Sequence, residues 1–317
     1  MVDKVVFNLI LFLVPAAVLL LVCVSFQILF RKIRNKNDAQ KEYPLLLFLW
    51  YLIFQIETAS HVSDFSRIGD PIKDEISKDL ELAKIIQQKM LPEVLPKVKG
   101  IELSAKLIPA KQVAGDFYDC FLLRDKTLAI NIGDVSGKGV PAALLASSAK
   151  YIFRFPPSLY IRPSKLMEMA NKIVFMNGGG LFVSDCFATL DLSRKQLFYV
   201  NAGHPPLIHY RRKSDDYNFL PTNGALLGAA EENIYREESV FLSQGDLLLF
   251  YTDGLTEVKM KDRKVLGEEG LSSILKKWKD LPFPELQEKL ISEILILYEK
   301  EEQTRDDITI VLVRVLE

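Results

Sequence analysis

The chain has 317 residues, with 40 Lys and Arg against 41 Asp and Glu, a net charge of −1, and 49% of its positions apolar. That balance permits a packed core, excludes wholesale disorder, and lacks the basic excess of a dedicated nucleic-acid binder. The scattered cysteines (Cys23, Cys120, Cys186) and histidines (His61, His204, His209) argue against a disulfide framework and give no zinc-ligand spacing.

The first predicted element is a membrane anchor. Val5 to Phe30 carries no charge. As a helix rising about 1.5 Å per residue it exceeds the roughly 30 Å hydrocarbon core of a bilayer. The run is too long for the apolar core of a signal peptide, and no small-residue cleavage site follows, so the segment is expected to be retained. Arg31, Lys32, Arg34 and Lys36 come next and are expected on the cytoplasmic side. A second apolar run, Leu45 to Phe54, has the length of an interfacial or re-entrant segment. If it spans instead, the basic loop and the C-terminal region lie on opposite sides. Residues 1–65 are assigned to the anchor.

Residues 66–98 read as a helical linker. Asp70-Pro71 breaks the chain, and Ile72, Ile76, Leu80, Ala83, Ile86 and Met90 then recur at spacings of 3 and 4, which gives one apolar stripe. The stripe can pack on its own domain, or residues 72–91 can join two copies as a short parallel coiled coil, a homodimer contact.

From residue 99 to 317 the texture is that of a layered α+β domain. Strands are expected at Ile101–Ile108, Thr127–Ile132, Asp185–Leu192, Gln196–Asn201, Asp246–Tyr251 and Asp306–Val315. Helices are expected at Val140–Phe153, Pro163–Phe175, Gly270–Trp278 and Pro284–Lys300. Strands arriving in consecutive groups favour mostly antiparallel sheets. Lys213–Tyr217 and Ala229–Glu238 read as exposed loops.

The aspartates sit at strand ends or strand-adjacent turns. Gly115-Asp116 precedes Phe117-Tyr118-Asp119, Gly133-Asp134 follows a strand, Asp253-Gly254 follows another, and Asp306-Asp307 opens the last. One such aspartate is usually a turn residue. Four of them could instead supply oxygen ligands to hard divalent cations, and two such ions activate water for in-line hydrolysis. Gly133-Asp134-Val135-Ser136-Gly137-Lys138-Gly139 lacks the G-x-x-x-x-G-K-[ST] pattern of a nucleotide phosphate loop. Ser136 and Ser184 have no recognisable nucleophile elbow. His204, between Gly203 and Pro205, reads as a hydrogen-bonded turn histidine.

In their order along the chain, Gln87–Pro92 (QQKMLP), Ala114–Asp119 (AGDFYD), Gly133–Ala143 (GDVSGKGVPAA), Asn201–Pro206 (NAGHPP), Leu226–Gly228 (LLG), Tyr251–Glu257 (YTDGLTE) and Asp306–Thr309 (DDIT) resemble the SpoIIE/RsbU-type branch of the PPM-type protein serine/threonine phosphatases. The likeness runs from about residue 80 to 315 and leaves the membrane segment outside it. It implies a four-layer α-β-β-α sandwich with two Mn²⁺ or Mg²⁺ ions between the sheets. By this resemblance Asp116, Asp134, Asp253 and Asp306 match the metal carboxylates, with the Val135 carbonyl as a further ligand. Asp116, Asp134 and Asp253 would act through metal-activated water, Asp119 would act through water or support the ligands from behind, and Asp307 would support the last ligand. Val140–Phe153 resembles the helix that couples regulatory input to the metal site. Ala114 stands where the family more often has Gly, which would be strained if that position needs positive φ. The implied activity is hydrolysis of phosphoserine or phosphothreonine on a cytosolic regulatory protein, a phosphorylated STAS-type anti-sigma-factor antagonist, with the phosphatase domain on the cytoplasmic face of the membrane. Two other readings are a membrane-tethered, non-catalytic signalling module on the same fold, and a two-metal nuclease or small-phosphoester hydrolase. Neutral net charge weakens the nuclease version.

Overall fold

The computed structural model describes residues 73–123, 127–154, 163–258, 264–298 and 306–316. The expected membrane span, the second apolar segment and the Asp70-Pro71 break lie outside these residues. Among the described residues no helix is long and apolar enough to cross a membrane. The chain separates into two units at Ile76/Ser77, and the second, Ser77–Glu317, carries the features below.

Helix α1 covers residues 73–90 and stops before Pro92, as the linker pattern predicts. Ten strands follow: β1 Ile101–Ile108, β2 Asp116–Leu122, β3 Thr127–Val135, β4 Val183–Asp191, β5 Gln196–Ala202, β6 Leu207–Arg211, β7 Asp216–Leu220, β8 Glu238–Phe241, β9 Leu247–Tyr251 and β10 Ile308–Val315. Helices α2 Val140–Ile152 and α3 Pro163–Asn177 lie between β3 and β4, and α4 Gly267–Trp278 and α5 Phe283–Leu297 between β9 and β10. The strands form two five-stranded sheets, in the orders β1-β10-β9-β6-β7 and β2-β3-β4-β5-β8. Every pairing of neighbours is antiparallel.

Strand alternation divides the core into three apolar layers. On one face of each sheet, Tyr118, Ile130, Ile132, Cys186, Phe250, Val311 and Val313 meet between the sheets. The opposite faces carry Ala129, Phe187 and Val200 toward α2 and α3, and Leu249, Tyr251, Ile310 and Leu312 toward α4 and α5. Because successive side chains point to opposite faces, one strand feeds two layers at once. The outcome is the expected four-layer α-β-β-α sandwich.

Several local expectations are corrected. The run Lys213–Tyr217 is not all loop: Asp216 and Tyr217 already belong to β7, which pairs with β6 in a hairpin. Glu238 opens β8 at the edge of the second sheet, and Tyr235, within the stretch read as an exposed loop, is buried. The last strand begins at Ile308, so Asp306 and Asp307 stand just before it. Ala114 is buried and is not among the positive-φ residues, which among non-glycines are Lys195 and Asp215. No strain attaches to it.

The linker meets the domain through Gln87. Its amide donates to the Ala114 carbonyl at 2.8 Å and accepts from the Ala114 N–H at 2.9 Å. Leu80, Ala83 and Met90 are half-buried, whereas Ile76, Leu82, Ile85 and Ile86 are exposed.

Candidate metal centre

Asp116 and Asp134 are direct cross-strand partners at one end of the β2–β3 ladder. Asp116 shares a face with Tyr118 and Cys120, and Asp134 with Ile132 and Ile130, so both lie on the face turned toward the other sheet. That other sheet supplies the counterparts. Thr252, after β9, donates its hydroxyl to Asp116 Oδ2 at 2.7 Å, and Thr309 of β10 donates to the same oxygen at 2.6 Å. Thr309 N–H in turn bonds Thr252 Oγ1 at 2.9 Å. Asp116 is thus a buried tie between the sheets. Asp253 begins the 3-10 turn Asp253–Leu255 directly after β9, and Asp306-Asp307 lead into β10 beside it.

Two close approaches shape the backbone. A Cβ on Gly254 would lie 1.9 Å from the Asp307 carbonyl oxygen, so only glycine lets the 3-10 turn pack against the start of β10. A Cβ on Gly115 would meet the Val135 carbonyl oxygen at 3.3 Å, which places that oxygen against the Gly115-Asp116 turn. Asp307 accepts from Ala110 N–H at 2.6 Å and Gly115 N–H at 2.7 Å, fixing the segment before Asp116. Its neighbour Asp306 holds the Lys138 ammonium at 2.7 Å.

The electrostatics show that these carboxylates feel one another. Burial, then the charges of Asp134 and Asp307, raise Asp116 well above the usual carboxylate range, against hydrogen bonds from Thr309 and Thr252. Asp134 is pushed up to about 7 by burial and by Asp253 and Asp306. Asp253 is pushed up to about 6 by burial, Glu257 and Asp306. Burial also raises Asp307. Like charges gathered at the edge of a core raise one another in this way.

The four aspartates singled out in the sequence are therefore brought to one patch, Asp116 and Asp134 from strands of one sheet and Asp253 and Asp306 from the segments adjoining β9 and β10 of the other. Among the described residues no three His, Cys, Asp or Glu side chains form a ready-made ligand cluster. Mutual Coulombic influence locates the patch, and within it Asp116 faces two hydroxyls, Asp306 an ammonium and Asp307 two backbone amides. The donor set is all hard oxygen, and carboxylates held at this mutual cost fit divalent cations such as Mg²⁺ or Mn²⁺.

Asp119 lies elsewhere. Three residues from Asp116 in the same strand, it faces the helix layer. It is fully buried and bonds Lys150 Nζ at 2.9 Å and Arg154 at 2.6 and 2.7 Å. It anchors the C-terminal end of α2 to β2.

The patch opens into a cleft of about 520 Å³, lined by Asp134, Ser184, His204, Asp253 and Glu257 among others. His204 is buried, as a bonded turn residue should be, with its N–H on Asn201 Oδ1. Its Nδ1 also lies 3.0 Å from Ser184 Oγ, so Ser184 does have a histidine beside it, twenty residues away in sequence. Burial drives this imidazole down to about 3, against bonds to Tyr251 and Ser184, and a neutral ring of such low basicity is a poor activator of a serine nucleophile. Sequence reasoning did not single out Thr252, Thr309 or Lys138. The threonines follow from strand parity once β9 and β10 are known to be neighbours, whereas nothing in the linear order pairs Lys138 with Asp306.

The chain has relatives among known proteins. The chain is 29% identical over 244 residues to phosphoserine phosphatase RsbU of Bacillus subtilis, covering 77% of this chain and 72% of that protein. It is 30% identical to protein IcfG of Synechocystis over 272 residues, 76% of this chain and 41% of that protein. Among solved structures it superposes on the SiaA-PP2C domain of Pseudomonas aeruginosa with a TM-score of 0.64, at 22% identity, over 77% of this chain and 98% of that one. The likeness to that domain is one of fold. The model of the family described as Stage II sporulation protein E matches residues 124–316. On that match, which spans more than half of the sequence, the chain belongs to the Stage II sporulation protein E (SpoIIE) family.

Proposed function

We propose that the chain is a membrane-anchored, metal-dependent protein serine/threonine phosphatase. Its substrate is phosphoserine or phosphothreonine on a regulatory protein of the STAS-type anti-sigma-factor antagonist class. Two Mn²⁺ or Mg²⁺ ions would be held by Asp116, Asp134, the Val135 carbonyl, Asp253 and Asp306. The observation that carries this reading is the cross-strand pair Asp116–Asp134 facing Asp253 and Asp306 across the sheet seam. When bound, such ions supply Lewis-acid activation of water and neutralise charge on the phosphoryl oxygens.

The chain's own residues prepare that chemistry. Thr252 and Thr309 hold Asp116 in one orientation. Asp307 fixes the backbone from Ala110 to Gly115, so Asp116 and the Val135 carbonyl keep their spacing. The open cleft admits a protruding segment of a protein. His204, neutral at pH 7, is a poor proton donor to the leaving group. The substrate class rests on the sequence resemblance and on the activity named for RsbU. Membrane anchorage rests on Val5–Phe30 and its basic flank, and a cytoplasmic catalytic domain follows from that flank together with the cytosolic substrate class when Leu45–Phe54 does not span. Exposed Ile76, Leu82, Ile85 and Ile86 on α1 support a homodimer through residues 72–91.

Mn²⁺-dependent phosphate release from a phosphoserine protein tests the proposal. Asp253→Asn is expected to abolish it with the circular dichroism spectrum unchanged. Full activity in Asp253→Asn, or cleavage of nucleic acid in place of phosphoprotein, overturns it.

A further inference from the structure

Gly133–Gly139 is not a nucleotide phosphate loop, yet its lysine stands at the carboxylate patch. Among the salt bridges between described residues, Lys138–Asp306 at 2.7 Å is the one that reaches the patch. The Lys138 side chain is half exposed, at 46%. Gly137 and Gly139 flank it with φ of 90° and 86°, a conformation side chains rarely adopt. Lys138 therefore projects from a sharply turned loop. The loop ends at the N-terminus of α2, which has no side-chain cap and presents the positive end of the helix dipole. Two residues earlier, Ser136 lines the cleft.

We infer that Lys138 is a substrate-binding residue that exchanges partners, leaving Asp306 when a cation engages that carboxylate and closing on the phosphoryl oxygens of the substrate. A phosphoryl group entering a field of carboxylates meets repulsion, and the flexible ammonium beside it can offset that cost with a charge-assisted hydrogen bond. The inference rests on the phosphatase reading above.

The two roles of Lys138 predict changes of opposite sign. In Lys138→Met, loss of one charge-assisted contact is expected to raise KM for p-nitrophenyl phosphate and the inhibition constant for inorganic phosphate by about tenfold. Mn²⁺ binding, measured by calorimetry on the full chain, is expected to hold or tighten, because Asp306 has lost a competing cation. Lys138→Arg should restore most of the phosphate affinity. Circular dichroism and the thermal midpoint show whether the variants fold. Unchanged phosphate inhibition in Lys138→Met overturns the inference. So does a weakening of phosphate that only follows a loss of Mn²⁺ affinity, the pattern of a purely structural salt bridge. A wild-type chain that hydrolyses neither p-nitrophenyl phosphate nor a phosphoserine protein refutes the phosphatase reading itself, a result separate from either outcome for Lys138.

Discussion

Replacing Asp134 by Asn should make the metal-free protein more stable while destroying its activity. In the folded chain Asp134 is moved from 3.8 to about 7. At 1.36 kcal/mol for each tenfold change in acidity, that is a penalty on the order of 4 kcal/mol against the folded, ionised form. The sign follows from which state holds the proton. An acid raised by folding binds its proton more tightly in the native state, so the penalty is full above about pH 7, shrinks as pH falls, and disappears below the unfolded value of 3.8. Urea unfolding of the chelator-treated chain measures it. Asp134→Asn is expected to gain roughly 2–4 kcal/mol at pH 8 and less than half of that gain near pH 5. Adding Mn²⁺ should reverse the order, because ligand binding to the native state stabilises the wild type and not the variant. The reasoning is refuted if the metal-free variant is less stable than wild type at pH 8, or if its gain does not shrink toward pH 5.

Two further substitutions probe the frame around the site. Asp119→Ala leaves Lys150, 3% exposed, as an unpaired buried charge and should cost about 3–5 kcal/mol of stability. The double variant with Lys150→Met should recover much of that loss, and Mn²⁺ affinity of the folded single variant should stay at the wild-type level, which an Asp119 role at the ions would not allow. Gly254→Ala puts a carbon 1.9 Å from the Asp307 carbonyl, and the forced backbone shift should cost about 1–3 kcal/mol or more. Because Asp253 and Asp306 flank that contact, calorimetry should show Mn²⁺ affinity falling further than stability alone explains.

What could be read from the linear chain was set by how strongly each segment is patterned. β1, β4, β5 and β9 are apolar or alternating runs, and their expected limits match to within two residues. β7 and β8 are edge strands with a single fully buried residue between them, so they lack the apolar run of a core strand and look like loop. β2 was hidden because Asp116-Phe117-Tyr118-Asp119 mixes charge with aromatics and lies between two turns. Its absence obscured the role of Asp119. Once the strand is known, a separation of three puts Asp116 and Asp119 on opposite faces, one toward the sheet seam and one toward α2. The aspartates of the carboxylate patch were legible through their motifs. The threonines that hold Asp116 were not, since hydroxyls supplied from 136 and 193 residues away leave no local signature.

The order in which the strands are laid down has a consequence for biosynthesis. β10, the last element in the sequence, is threaded between β1 and β9 and brings Thr309 and the adjoining Asp306 with it. A nascent chain that has emerged only as far as α5 therefore has an open gap in one sheet and an incomplete carboxylate patch. A stop just before residue 306 would leave Asp116, Asp134 and Asp253 in the chain while removing Asp306 and the Thr309 hydroxyl that holds Asp116.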